Sequence, residues 1–213
     1  MQWPTINDIS AMTALPEGYR FEKLTRADIC PLIQAIEEWF PSVSVGAASC
    51  YVTAQFYLEK VVIDDETDKD VIALLIKKGD ELVGMGSWER ESAAMTLYAR
   101  LGVIAPAHRG LRMAVLAMEL GEKIGRAMGA GFIYTLATMK MPQMQLALER
   151  AGYQLIGFMP GYDREEVSPG VVKRVFEAAY AKRLAPDEEF LRPEDKNMTP
   201  NARRLFDIIF PAM

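Results

Sequence analysis

The most constraining feature of this sequence is a strand that runs through a short Arg-Gly loop into a long helix. Residues 95–104 read as a strand, Pro106-Ala107-His108-Arg109-Gly110 breaks the pattern, and residues 111–128 bring Met113, Leu116 or Ala117, Leu120 and Ile124 back at helical spacing. Gly129-Ala130-Gly131 then supplies a stop. A helix entered in this way leaves its first backbone N–H groups unpaired at the positive end of its dipole, where a phosphate can rest.

That strand belongs to a meander. Residues 71–78 and 82–88 are two strands separated by Gly79-Asp80-Glu81, and 95–104 is the third, so the helix must return across one face of an antiparallel sheet. Residues 132–138 are a continuous apolar run bounded by glycine, as expected of a central buried strand. A shorter helix fits 142–151 and closes at Gly152, and strands at 153–159 and 171–180 flank a turn-rich segment, 160–170.

Upstream, residues 19–24 alternate as a half-buried strand. Asp28 is expected to cap a helix bearing Ile29, Leu32, Ile33, Ile36 and Phe40, with Pro31 in its first turn and Pro41 at its end. Thr25 is the earlier cap candidate. Residues 45–60 read as a second helix, with Ala48, Val52 and Phe56 near one face despite Gly46. The acidic run Asp64-Asp65-Glu66-Thr67-Asp68 is expected to be a solvated turn, since its spacing fits no EF-hand loop. Residues 1–17 form an arm lying on the domain. After residue 184 comes a polar connector, and Thr199-Pro200 opens a last amphipathic helix with Leu205, Phe206, Ile208 and Ile209. A helix this short is unstable alone and is expected to dock on the body or on a second copy of the chain.

Composition narrows the partners. A net charge of −5 argues against a general nucleic-acid surface. Cys30 and Cys50 match no metal-ligand spacing, the N-terminus lacks a charged segment followed by an apolar run, and no stretch approaches the roughly 20 apolar residues of a membrane span. The expectation is a cytoplasmic protein with no metal.

The order strand, helix, helix, three-strand meander, helix, strand, helix, two strands resembles the GNAT acyltransferase superfamily. Val103-Ile104-Ala105-Pro106-Ala107-His108-Arg109-Gly110-Leu111-Arg112-Met113-Ala114 is similar to the family's Arg/Gln-x-x-Gly-x-Gly/Ala after a strand and a proline. Ala147-Leu148-Glu149-Arg150-Ala151-Gly152-Tyr153 is similar to its helix ending in Gly-Phe or Gly-Tyr, and Pro160-Gly161-Tyr162-Asp163-Arg164 resembles the link between its last two strands. The resemblance implies an α/β domain over 18–184, built on a mixed, mostly antiparallel twisted sheet with splayed central strands, flanked by helices and followed by a tail at 185–213. It further implies acetyl-CoA or another acyl-CoA as cosubstrate. The pantetheine arm would lie between strands 95–104 and 132–138, along Leu101, Gly102, Val103 and Ile104, and the pyrophosphate would rest on Arg109, Gly110, Leu111, Arg112, Met113 and Ala114. Three positions depart from the family pattern: Arg112 stands where it has its central glycine, Leu148 where many members place a tyrosine acid, and Met141 where asparagine is common.

On this reading an amine attacks the thioester directly, with a backbone amide near Leu101 to Val103 polarising the carbonyl. Glu89 or Glu91 would receive the amine proton, and Tyr98 and Arg100 would face the cleft, with Tyr134 and Tyr162 as other hydroxyl donors. Trp39, Phe40, Phe56 and Tyr57 would roof the acceptor, a small-molecule or peptide amine. Met139, Met141 and Met144 would sit where the acyl end emerges. His108, beside Arg109, is expected near solvent or phosphate rather than as a base. Two rival readings stand beside this one: an N-acyl amino acid or acyl-lactone type synthase drawing on an acyl-carrier protein, and a catalytically silent binding module. A homodimer is the expected assembly if the tail helix docks across copies.

Overall fold

A computed structural model of the chain describes residues 1–64 and 66–211, so Asp65 of the acidic run lies outside the described residues. The elements are α1 (Ile6–Met12), β1 (Tyr19–Lys23), α2 (Ile29–Trp39), α3 (Ala54–Lys60), β2 (Val71–Lys78), β3 (Glu81–Glu91), β4 (Thr96–Ile104), α4 (Met113–Ala127), β5 (Phe132–Thr138), α5 (Gln143–Arg150), β6 (Gln154–Ser168), β7 (Val171–Arg183) and α6 (Pro200–Ile209). Seven strands form one sheet in the order β1-β2-β3-β4-β5-β7-β6. Every neighbouring pair is antiparallel except β4 and β5, which are parallel.

Both faces of the sheet are covered, which is why β2 reads Val-Ile-Ala-Leu-Leu-Ile without alternation. Ile72, Leu74 and Ile76 face a core shared with α1, α4 and α5, while Val71, Ala73 and Leu75 face a second core under α2 and α3. On the α4 side the indole of Trp88 is buried against Gly121, where any Cβ would run into the ring. A mid-helix glycine costs about 1 kcal/mol against alanine; here it lets the helix sit close on the sheet.

The arm contains α1, too short for a period to show. Thr5 and Asp8 form a reciprocal cap, Thr5 N–H donating to Asp8 Oδ2 at 3.1 Å and Asp8 N–H to Thr5 Oγ1 at 3.3 Å. Trp3 and Ile9 are buried in the first core. Asp28 does not cap α2 as expected: its side chain makes no cap hydrogen bond to that helix and instead accepts the Thr25 N–H at 3.0 Å across a 3-10 turn, Arg26–Asp28, that leads into it.

Two further expectations are overturned. The single helix expected over 45–60 is instead one 3-10 turn, Ser49–Val52, and the seven-residue α3, with another 3-10 turn, Pro41–Ser44, just ahead of the span. The break lies at Gly46, whose φ of +89° is left-handed, and Asp163 of β6 accepts the neighbouring Ala47 N–H at 2.7 Å. The turn-rich segment 160–170 is also not a loop. β6 continues through it with three register shifts, and the hairpin turns at Pro169-Gly170.

Docking of α6 is slight. None of its residues is buried, Leu205 and Ile208 are 55% and 70% exposed, and its carbonyl at Ile209 accepts from Gln154. No helix among the described residues is long and apolar enough to cross a membrane.

The junction at Gly46 is testable. A Cβ there would meet the Arg164 carbonyl and the Asp163 carboxylate, on a backbone that alanine rarely adopts. Gly46→Ala should therefore destabilise the protein by about 2–4 kcal/mol in chemical denaturation, from strain and overpacking together.

Candidate active site

The parallel pairing of β4 with β5 joins Thr96–Ala99 to Phe132–Thr135 and then stops, although β4 runs on to Ile104 and β5 to Thr138. The parting begins at a bulge. Trp88 of β3 pairs with Ala99 and Ser87 with Leu101, so Arg100 is an extra residue on β4. Buried Ser87 knits the bulge together: its hydroxyl donates to the Leu101 carbonyl at 3.2 Å, accepts the Leu101 N–H at 3.3 Å, and lies 2.6 Å from the Tyr51 hydroxyl. The Leu101 amide is thus engaged. Gly102 is the exposed position in the parting, with no atom within 4 Å of where a Cβ would stand.

At the end of β4 a 3-10 turn, Pro106–His108, leads to α4. Among the described residues the backbone N–H groups of Gly110, Leu111, Arg112, Met113, Ala114 and Val115 have no acceptor in the chain, and the first helical bond is Leu116 N–H to the Arg112 carbonyl at 3.0 Å. Six free amides at the start of a 15-residue helix form a strong anion cradle. The loop is held from behind. Arg109 donates from Nε to the Ile104 carbonyl and from Nη2 to the Trp39 carbonyl, both at 3.0 Å, so its charge serves the loop rather than the cradle. His108 Nδ1 is 2.8 Å from the Tyr19 hydroxyl and its Nε2 3.4 Å from Glu81, which makes it a strut between β1 and the loop.

On the α2 side of the sheet, beside the parting, lies a cavity of about 150 Å³ lined by Ala47, Ala48, Tyr51, Tyr98, Arg100, Leu136, Tyr162, Asp163 and Glu177. Tyr98 and Arg100 reach it as the alternation of β4 requires. The Arg100 guanidinium is paired with Glu89 and lies 5.8 Å from the ring centroid of Tyr51, 5.7 Å from Phe56 and 5.8 Å from Tyr98. Burial raises Tyr98 to about 12, with Tyr162 adding to the shift, so its hydroxyl stays protonated. Tyr134 stacks on Tyr98 at 4.8 Å and donates to Glu91 at 2.8 Å.

The expected residues are therefore divided. Tyr98, Arg100 and Tyr162 meet at the cavity, whereas Glu89 is committed to Arg100, and Glu91 accepts from Tyr134 and Thr96. The roof is Ala47, Ala48 and Tyr51 from the broken segment; Tyr57 is fully buried and donates to the Tyr51 carbonyl at 2.9 Å. Met139 and Met141 are 44% and 49% exposed and Met144 packs on the core, all outside the cavity lining. Glu177 of β7 was missed. Its signal is a lone carboxylate in the run Val175-Phe176-Glu177-Ala178-Ala179. Among the described residues no group of three or more His, Cys, Asp or Glu side chains is placed to hold a metal ion.

Several solved structures resemble this chain over nearly their full length. A spermidine N-acetyltransferase from Vibrio cholerae superposes with a TM-score of 0.60 at 12% identity, covering 79% of this chain and 95% of that one. A putative acetyltransferase from Salmonella typhimurium, solved with its cofactor acetyl-CoA, gives 0.58 at 11%, covering 84% and 99%. The ribosomal L7/L12 alpha-N-protein acetyltransferase RimL gives 0.58 at 12%, covering 82% and 99%. The chain has the GNAT fold. No protein-family model and no curated protein matches it.

Within this GNAT fold the departures at 112 and 148 have local explanations. Arg112 adopts φ +59°, ψ +13°, the left-handed conformation, at the N-cap of α4. Glycine is favoured at such a point by the backbone itself as well as by ligand approach. Leu148 is fully buried in the core between α5 and the sheet, and at the cavity burial keeps the hydroxyls of both Tyr98 and Tyr51 protonated.

A left-handed arginine costs about 1–2 kcal/mol in conformation, while glycine gives back about 0.5–1 kcal/mol through its freer unfolded chain. Arg112→Gly should accordingly stabilise the apo-protein by about 0.5–1 kcal/mol in denaturant titrations. An unchanged or lower midpoint would mean that the arginine side chain compensates for its backbone.

Proposed function

We propose that this protein transfers an acyl group from acyl-CoA to an amine within a ternary complex. The observation that carries the reading is the parting of β4 from β5 beyond Ala99 and Thr135, with six free amides at one end and an open, polar cavity at the other. An extended thiol arm with a pyrophosphate at its far end matches that layout. The residues present suit such a group: the amides of Gly110 to Val115 would hold the pyrophosphate, and bare Gly102 leaves space beside the strand. Acyl-CoA would supply an activated thioester.

Each side chain then has a task. The side chain of Arg112, which is exposed and has no hydrogen-bond partner among the described residues, is free to add a permanent charge beside the cradle. The Gly102 amide, rather than that of Leu101, is the donor we assign to the developing oxyanion, because Leu101 is held by Ser87. Tyr98, kept protonated by burial, delivers a proton to the leaving thiolate. Acetylation of spermidine by the Vibrio cholerae neighbour and of a protein α-amine by RimL supports an amine as acceptor.

The carrier-protein reading lacks a specific observation here. Arg109 is turned inward, and the methionines do not line the cavity. The silent-module reading is disfavoured by a cavity left open at Tyr162, which is 46% exposed.

Free-thiol release from acetyl-CoA in the presence of a panel of primary amines tests the reaction; no release above hydrolysis with any amine, together with no calorimetric binding of CoA, would sink it. Arg112→Ala keeps the left-handed backbone but removes the charge, so it should weaken CoA binding by about 1–3 kcal/mol and flatten its salt dependence. Tyr98→Phe should lower kcat by about 100-fold while leaving CoA affinity unchanged. Equal, small effects for Phe at Tyr98, Tyr134 and Tyr162 would remove tyrosine from the mechanism.

A further inference from the structure

Glu177 lines the cavity and stands apart from the roles assigned to Tyr98, Gly102 and Arg112. It lies on β7 between Thr138 of β5 and Met159 of β6, is 5% exposed, and has no hydrogen-bond or ion-pair partner among the described residues. A buried carboxylate with no partner is costly unless something brought from outside completes it.

The surroundings say what is missing. From β4 come Tyr98 and Arg100, from the turn at Ser49–Val52 comes Tyr51, from β6 come Tyr162, Asp163 and Glu165, and Lys140 follows β5. Arg100 is taken by Glu89, and Lys140 by Glu165 at 2.6 Å. Asp163 holds its Oδ1 against the amides of Ala47 and Arg164, each at 2.7 Å. The local cations are thus neutralised, while Glu177 and Asp163 remain as two uncompensated carboxyl groups. Burial first, then Asp163 and Glu165, push Glu177 up to about 7, the range in which a carboxylate both accepts and releases a proton near neutrality.

Resting on the acyl-transfer reading above, we propose that Glu177 takes the proton from the acceptor amine, and that the acceptor enters as a primary ammonium on a slender arm without an adjacent carboxylate. The cavity, at about 150 Å³, has room for about five waters. That suits an ammonium head with a few methylenes. A carboxylate beside the amine would face Asp163 and Glu177, and the lining cation, Arg100, is already paired with Glu89.

The step balances. The ammonium gives one proton to Glu177, and the freed lone pair on nitrogen attacks the thioester carbon. The C–N bond forms and the C–S bond breaks. The thiolate takes its proton from Tyr98, Tyr98 is restored by the second nitrogen proton, and Glu177 releases its proton to solvent. The net products are an amide, free thiol and one proton.

The test uses the full chain, Glu177→Gln and Glu177→Asp. In calorimetry without donor, propylamine should bind the wild type and bind Glu177→Gln about tenfold more weakly. Propanol and β-alanine should bind neither appreciably. The pH profile of kcat/KM for propylamine should show a limb near pH 7 in the wild type; Glu177→Gln should lose that limb and about 100-fold in rate, and Glu177→Asp should restore a shifted limb. CoA binding should be equal in all three proteins. Unchanged propylamine affinity, or a limb that survives in Glu177→Gln, overturns the proposal. Failure of acyl transfer with intact, Glu177-dependent propylamine binding would instead overturn the donor reading.

Stability gives an independent readout. An unfolded glutamate titrates near 4.3, below the folded value of about 7, so the wild type loses stability as pH rises between them. Glu177→Gln should melt above the wild type at pH 8, with the gap narrowing at pH 5. A gap that does not change with pH would mean that Glu177 ionises alike in the folded and unfolded chain, and the proposal falls.

Discussion

The hydrogen bonds that β4 and β5 fail to make govern much else in this molecule. Parallel strands pair along their length when nothing intervenes, yet here the ladder ends at Ala99 and Thr135. Arg100 is the wedge. As the extra residue of a bulge it shifts the register of β4, and its guanidinium settles among Tyr51, Phe56 and Tyr98 against Glu89. The Ser87 hydroxyl, itself held by that of Tyr51, takes over the backbone bonding that the bulge disrupts. Remove that support and the strands have no reason to stay apart.

Much of this was legible in residue order. β5 was readable to the residue because glycine and threonine bound a buried apolar run, and the meander was readable from its glycine punctuation. The segment 45–60 was not, because its break depends on Asp163, 116 positions away from Ala47. Local periodicity cannot report a backbone conformation imposed across the sheet. The continuation of β6 through Pro160 and Gly161 was hidden for a related reason: residues that usually mark a turn here mark bulges, and only pairing with β7 distinguishes the two. At the site, Tyr98 and Arg100 followed from strand alternation. The glutamates near them did not sort themselves, since Glu89 and Glu91 look like free strand-end charges until their partners are seen, and Glu177 looks like a surface residue until it is found buried.

Arg112 and Leu148 show how a fold tolerates the loss of expected letters. The left-handed turn before α4 persists with arginine, at a local cost, because Arg109 and His108 anchor the loop on both sides. Leu148 keeps the core filled at a position where a hydroxyl is usual in the resemblance. The site is therefore organised by strands β4, β6 and β7 more than by α5.

The length of β6 carries one more consequence. At 15 residues it is the outer strand of the sheet, and Phe158 and Phe176 of its hairpin are 57% and 55% exposed. A long open edge with apolar neighbours invites pairing with another chain, and twisting or charging the edge is what discourages it. Here three bulges bend the strand, and Asp163, Arg164, Glu165 and Glu166 stud it. One of them, Asp163, also lines the cavity, beside Tyr162. Any redesign of the cavity wall at Tyr162 or Asp163 therefore also touches the strand that guards against edge-to-edge aggregation, so solubility and cavity shape are coupled through a single strand.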